Sequence, residues 1–397
     1  MPKNIIVCAD GTWNGPAVAG GPEPIDGNDD RGEFAAAPVT NVVKIFGNLL
    51  GYSIPATIGL ANEQEISCSS ATGEVLQVAK YLHGVGDSAN LLNKLLGGAF
   101  GMGIIARIVR AYTFISRHYR PGDAIHIIGF SRGAYTARAL AGMIARVGLL
   151  NPATYDPDDK ETGYRLAIAA WAKSKSVSIT PANALSDISN TFVNFIQAFV
   201  ATGLQANSLI PEVPIKAVAV WDTVGALGLP TYMQGKRYDL FRFVDDKLSP
   251  LVAHGFHAMA IDELRIDFPV TRWAARDGVE QCWFVGAHGD VGGGYAAGQS
   301  QLSDIALDWM TKKLQSAGIL FVNPPPYMPR PVVLGSAIHT PWTKPPFDAL
   351  GRSPRPVALT DFLHPSVLSR WSGDGSYRPA AMKDFVNKPP GGFRILE

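Results

Sequence analysis

The stretch Asp123-Ala-Ile-His-Ile-Ile-Gly-Phe-Ser-Arg-Gly-Ala-Tyr-Thr-Ala-Arg138 decides the reading of this chain. Pro121-Gly122-Asp123 is turn chemistry. Ile125, Ile127, Ile128 and Phe130 then suit a buried strand. From Ala134 onward Ala, Arg, Leu and Met favour helix. Between the two, Gly129 and Gly133 flank Phe130-Ser131-Arg132 as G-x-S-x-G. Such a pattern makes a nucleophile elbow: the serine sits in a strained turn, and its neighbours two residues away lack bulk so that strand and helix can approach. The turn lifts the Ser131 hydroxyl clear of the sheet. It also sets the Arg132 N–H at a helix N-terminus, where a developing oxyanion would be stabilised.

Working outward, Asn4–Ala9 reads as a first strand ending in Asp10-Gly11-Thr12-Trp13-Asn14, a polar loop at the strand end where ligands gather in open α/β sheets. Residues 15–38 read as a long surface loop. Thr40 or Asn41 is an N-cap for the helical run Val42, Val43, Ile45, Phe46, Leu49. Residues 52–75 read as irregular with a short strand, and Tyr81–Gly86 as another strand end. Residues 87–103 read as helix ends or a close-packed loop, with a membrane-active hairpin as the sharper alternative. Residues 104–119 are helical. Residues 151–214 read as a helical cap insertion, with an apolar stripe from Ile188 to Val200. Ile215–Trp221 is a strand ending at Asp222. Residues 254–262 look helical. Glu280–Val285 is a strand followed by Gly286-Ala-His-Gly-Asp-Val-Gly-Gly-Gly-Tyr295, and 302–314 is an amphipathic helix. The domain therefore spans 1–323, and a proline-rich extension, 324–397, is expected to pack on it with little regular structure.

A serine hydroxyl needs a neighbouring base, most often a histidine steadied by a carboxylate. In α/β-hydrolases the chain order is Ser, acid, His. Ser131, Asp222 and His288 occur in that order, each directly after a strand. Of the eight histidines, His83, His118 and His126 precede Asp222, His254 and His257 fall on the expected helix, and His339 and His364 lie in the extension. Asp290, two residues past His288, would point the same way on an extended segment and could orient it or shape the following glycines, and Asp262 and Asp10 also compete for the acid role. The loop Gly11-Thr12 is the expected second oxyanion donor beside Arg132. A rival reading takes Asp10, Asp222, His288 and Asp290 as ligands of a divalent cation in a phosphoesterase. Another leaves the chain as a non-catalytic binder of lipid or protein.

Hydrophobic residues make up 47% of the 397 and charged residues 17%, enough for a sizeable core. The net charge of +1 gives no pull toward nucleic acid. Cys8, Cys68 and Cys282 cannot all pair, and buried free thiols are expected; no Cys-x-x-Cys spacing calls for a metal, and no motif calls for a cofactor. The N-terminus is too short and mixed for a secretory signal, and no run is long enough to span a bilayer, so the chain is expected to be made as a cytoplasmic protein.

Six motifs occur together: Cys8–Asn14, Thr40-Asn41-Val42, Gly84-Val85-Gly86, Gly129–Arg138, Val220–Gly225 and His288–Tyr295. In this they resemble the DUF2235 family, the catalytic domain of Tle1-like type VI secretion lipase effectors, over about residues 4–296, with weaker echoes at 364–367 and 377–379. The resemblance implies an α/β-hydrolase core, phospholipase A-type ester hydrolysis, and a triad on Ser131, Asp222 and His288. It also implies lipid substrates, a membrane surface, a secretion-system or immunity protein as partner, and export by type VI secretion. Gly289 stands where the family usually has Ser, and Asp87 where Thr is common.

Overall fold

The computed structural model describes residues 2–11, 39–51, 64–83, 102–176, 204–205, 207–224, 232–233, 236–237, 246–344, 347–349, 351–385 and 393–396. Outside them lie Thr12, the expected loop 15–38, most of the 87–103 stretch, the motif Gly84-Val85-Gly86 and the apolar stripe 188–200.

The strands are β1 (Asn4–Ala9), β2 (Gln64–Ser69), β3 (Val75–Leu82), β4 (Ala124–Phe130), β5 (Leu149–Leu150), β6 (Leu209–Ile210), β7 (Ile215–Trp221), β8 (Tyr232–Met233), β9 (Lys236–Arg237), β10 (Val252–Ala260), β11 (Val279–Phe284), β12 (Phe362–Leu363) and β13 (Arg394–Ile395). Nine form one sheet in the order β13-β12-β11-β10-β7-β4-β1-β3-β2, while β5 pairs with β6 and β8 with β9. Every pairing in the large sheet is parallel except β2 with β3. The helices are α1 (Asn41–Asn48), α2 (Met102–His118), α3 (Arg132–Val147), α4 (Lys160–Ser176), α5 (His288–Gly292), α6 (Gln301–Ser316) and α7 (Pro365–Gly373). The chain is thus an α/β protein, a mostly parallel sheet flanked by helices.

Strand periodicity divides the core in two. Ile6, Cys8, Ile128, Phe130, Ala217, Ala219 and Trp221 join α1, α6 and α7 in one cluster. Their neighbours Ile5, Val7, Ile125, Ile127, Val218 and Val220 join α2, α3 and α4 in the other. A sheet covered on both faces explains why β1, β4 and β7 read as unbroken apolar runs. The described part of the expected cap is chiefly α4, which packs in the second cluster beside α2 and α3.

Two readings change. Residues 252–260 form a central strand, not a helix: between β7 and β11 the ladder decides over the helix propensity of Ala and Met. The proline-rich extension also holds more regular structure than expected, because β12 and β13 extend the sheet beyond β11 and α7 packs in the first cluster. The cysteines are free, with Cys8 and Cys282 buried.

The elbow glycines are required by close approach. A Cβ on Gly133 would lie 2.0 Å from the Ala9 carbonyl oxygen, and one on Gly129 would lie 2.4 Å from the Gly133 carbonyl oxygen. Both obstacles are backbone, which has little room to yield. Gly133→Ala is therefore expected to destabilise the fold by on the order of 3 kcal/mol, read as a lower denaturation midpoint. A midpoint equal to wild type would show that α3 can move off β1 freely.

Candidate active site

Parallel strands end on one edge of a sheet, and three of those ends carry the side chains singled out from the sequence. Ser131 follows β4, Asp222 follows the neighbouring β7, and His288 follows β11, with β10 between. Ser131 has φ 57° and ψ −123°, in a region that non-glycine residues seldom visit. The turn is held by its N–H donating to the Trp221 carbonyl at 3.2 Å and by its own carbonyl accepting from Tyr135 at 3.2 Å. Asp222 also has a positive φ, 38°, and its N–H donates to the Ala258 carbonyl at 2.7 Å. His288 opens α5, and its N–H donates to Glu263 Oε2 at 3.2 Å. Its ring packs near Phe130, at 4.6 Å between centroids, and meets Phe268 edge-on at 5.1 Å.

His288 Nε2 lies 2.9 Å from Ser131 Oγ, and His288 Nδ1 lies 2.6 Å from Asp222 Oδ2. With the ring proton on Nδ1, Nε2 is free to accept from the serine hydroxyl. Burial lowers the His288 pKa below the usual histidine value, opposed by the hydrogen bond and charge of Asp222 and assisted by Arg265. For Asp222 burial works upward, but Arg355 and His288 outweigh it and hold the carboxyl far below the usual range. The base thus rests neutral and the acid rests charged, the protonation states from which a serine can be deprotonated.

The other predicted residues are placed nearby but engaged elsewhere. The Asp10 carboxylate accepts from Gly11 N–H at 2.7 Å, Thr40 Oγ1 at 2.9 Å and the Tyr81 hydroxyl at 2.6 Å. Burial pushes its pKa up to about 6 despite those donors and Arg107. It sits against the elbow, since a Cβ on Gly133 would come within 2.6 Å of its carbonyl oxygen. The Gly11 N–H, proposed for an oxyanion, is thus donated to Asp10. Asp290 is on α5, so the extended-chain argument for its orienting His288 does not apply. It accepts instead from Ala287 N–H at 3.0 Å and from both the N–H and Nδ1 of His339, at 3.0 and 2.6 Å. Among the described residues no three His, Cys, Asp or Glu side chains are grouped to hold a metal ion.

A family model described as the catalytic domain of Tle1-like phospholipase effectors of type VI secretion matches residues 3–313. The chain belongs to this family. An uncharacterised protein of Saccharomyces cerevisiae, YEL023C, is 35% identical over 154 residues, 38% of this chain and 18% of that protein. Two solved structures are similar. One is an uncharacterised protein from Pseudomonas aeruginosa, at 17% identity and a TM-score of 0.39 over 81% of this chain and 46% of that one. The other is a Tle1 effector bound to the VgrG spike of a type VI secretion system, at 16% identity and a TM-score of 0.35 over 74% and 51%. This chain thus spans about half of each solved relative and about a fifth of the yeast protein.

Several residues at the site of this Tle1-like domain had no signal in the sequence. Arg355, beyond the segment the family model matches, bonds both oxygens of Asp222. Glu263 pairs with Arg265 and holds the His288 N–H. His339 stacks on Tyr295 at 3.6 Å while bonding Asp290. His257, expected on a helix, is instead in β10. Its Nε2 accepts the Thr223 N–H at 3.1 Å, next to Asp222, and burial pushes its pKa down to about 3.

Proposed function

We propose that this chain is a serine esterase that cleaves the acyl esters of lipids, phospholipase A-like. The observation that carries the reading is the hydrogen-bonded line from Ser131 Oγ through His288 to Asp222. Ser131 Oγ attacks the acyl carbon while its proton passes to His288 Nε2. Asp222 steadies the imidazolium, and the oxyanion is met by the N–H of Arg132 at the start of α3. The intermediate collapses, the leaving alcohol takes the proton from His288, and an acyl-enzyme remains. Water, deprotonated by the same imidazole, then releases the acid and restores Ser131. The 151–214 insertion would select an apolar acyl chain. Membership of an effector family supports action at a membrane surface, export by a type VI secretion system, and a secretion-system or immunity protein as partner.

A screen of short esters, triglycerides and phospholipids with the wild-type chain, with and without a chelator, tests this reading. Acyl-ester turnover indifferent to chelation is expected. Cleavage confined to phosphoesters, and lost with the chelator, would replace it with the divalent-cation reading.

The pH profile follows from His288. The ring must be neutral to accept a proton, so kcat/KM falls as pH drops through its pKa. Burial lowers that pKa, so the acid limb is expected below about 6.5, the ordinary histidine value. A limb centred well above 7 would show that the imidazolium is favoured at the site.

A further inference from the structure

We infer that Arg355 is a positioning residue of the triad, supplied by the C-terminal extension: its guanidinium fork fixes the Asp222 carboxylate against His288 and shares the charge that the imidazole feels. The inference rests on the serine-esterase reading and adds to it a residue outside the family-matched segment.

The fork is two-sided. Nη1 lies 2.5 Å from Asp222 Oδ1 and Nη2 3.0 Å from Oδ2. The same two nitrogens donate to the carbonyls of Ala260, at 2.8 Å, and Phe268, at 2.7 Å. The arginine is thus itself fixed by backbone on both sides. Its side chain is 4% exposed and that of Asp222 is not exposed at all, so solvent does little to weaken the pair. Asp222 receives one further bond, from Ala260 N–H to Oδ1 at 2.9 Å. Of the two carboxylate oxygens, Oδ2 is the one left to face His288 Nδ1.

The chain delivers this arginine by a short strap. Ile266 N–H donates to the Gly351 carbonyl at 3.2 Å and Ser353 N–H to the Leu264 carbonyl at 2.8 Å. Pro354 and Pro356 flank Arg355 and disfavour helix there, which keeps the strap extended. The partner segment 263–268 carries Glu263, which holds His288 N–H, and Phe268, which meets its ring. Both ends of the acid–base pair are therefore tied to one strap.

A buried arginine beside a buried carboxylate has a bland explanation: each cancels the other's desolvation, whatever the chemistry. The two explanations differ in what His288 reports. The charged groups facing His288 are Asp222 and Arg355 on one side and Glu263 with Arg265 on the other; Asp290, on its own helix, is paired with His339. Taking away the Arg355 cation leaves the Asp222 charge undivided, so the imidazolium becomes more favourable and its pKa rises.

The test is the pH dependence of kcat/KM for wild type, Arg355→Gln and Arg355→Lys on one acyl ester, with thermal midpoints taken in parallel. For Arg355→Gln the acid limb is expected to move up by about half a unit to one unit. Its plateau is expected to fall about tenfold to a hundredfold, the cost of a slightly misplaced catalytic group. Arg355→Lys keeps the charge and loses the fork, so its limb should return to the wild-type position while the plateau recovers only in part. A limb that stays put in Arg355→Gln, or plateau losses that only follow the midpoints, would overturn the inference and leave Arg355 a structural residue. If Arg355→Gln does not fold, Arg355→Lys decides: a wild-type plateau would overturn the role of the fork. Failure of the underlying reading looks different, because then Ser131→Ala would retain the turnover of wild type.

Discussion

Ser131→Ala is expected to lower ester hydrolysis by roughly 10³- to 10⁶-fold while leaving the fold intact. The loss is large because alanine lacks the oxygen that would bond to the acyl carbon, and among the described residues the hydroxyl bonded to His288 Nε2 is that of Ser131. The fold survives because the turn is held by main-chain bonds to Trp221 and Tyr135 and by glycines on either side. Alanine at φ 57° carries the same backbone strain as serine does, so the thermal midpoint should move little. The remaining activity would come from whatever oxyanion donors and binding supply alone. Rates measured on one acyl ester, with midpoints from the same preparations, check both halves of this expectation. Turnover within tenfold of wild type would remove Ser131 from the chemistry.

Asp222→Asn is expected to cost about 10⁴-fold in kcat, and unlike the serine change it should also cost stability. The aspartate accepts four hydrogen bonds: two from Arg355, one from Ala260 N–H and one from His288. An amide offers one oxygen and one NH₂. If the NH₂ faces Arg355, donors oppose donors in a site closed to water. If it faces His288, the ring is driven to the other tautomer and Nε2 carries the proton, so it cannot accept one from Ser131. Either way a buried guanidinium loses its counter-charge, a change worth about 3–5 kcal/mol when a buried pair is broken. The measurement is kcat together with a chemical denaturation midpoint. A variant as active and as stable as wild type would mean that Asp222 neither steers the imidazole nor balances Arg355.

Much of this site was legible because it is built from local signals. β1, β4 and β7 are sandwiched between helices, so they appear as short apolar runs, and each ends at a polar residue on the same edge of the sheet. The elbow could be read because its glycines answer a steric demand that lies within five residues and against one neighbouring strand. Chain order then set Asp222 and His288 beside Ser131. What could not be read depends on contacts distant in sequence. Val252–Ala260 contains Ala, Met and two histidines, a composition that suits helix, and becomes a strand only because β7 and β11 pair with it on both sides. α5 is only five residues long, contains Gly289 and Gly292 and is followed directly by Gly293 and Gly294, and so His288 read as part of a loop. Arg355 lies 133 residues from the carboxylate it grips, in a proline-rich stretch with no periodicity. Nothing local separates it from the arginines around it, Arg352 among them. Asp290 shows the opposite failure: its spacing from His288 suggested a shared direction, but helical backbone turned it toward His339 instead.

The most direct test of the account is labelling of the folded wild-type chain with a serine-directed phosphonate, followed by identification of the modified peptide. The account predicts one adduct, on Ser131, forming in step with loss of acyl-ester hydrolysis and failing to form in His288→Ala. Full activity in a protein that carries the adduct at Ser131, or hydrolysis that disappears while Ser131 stays unmodified, would contradict it.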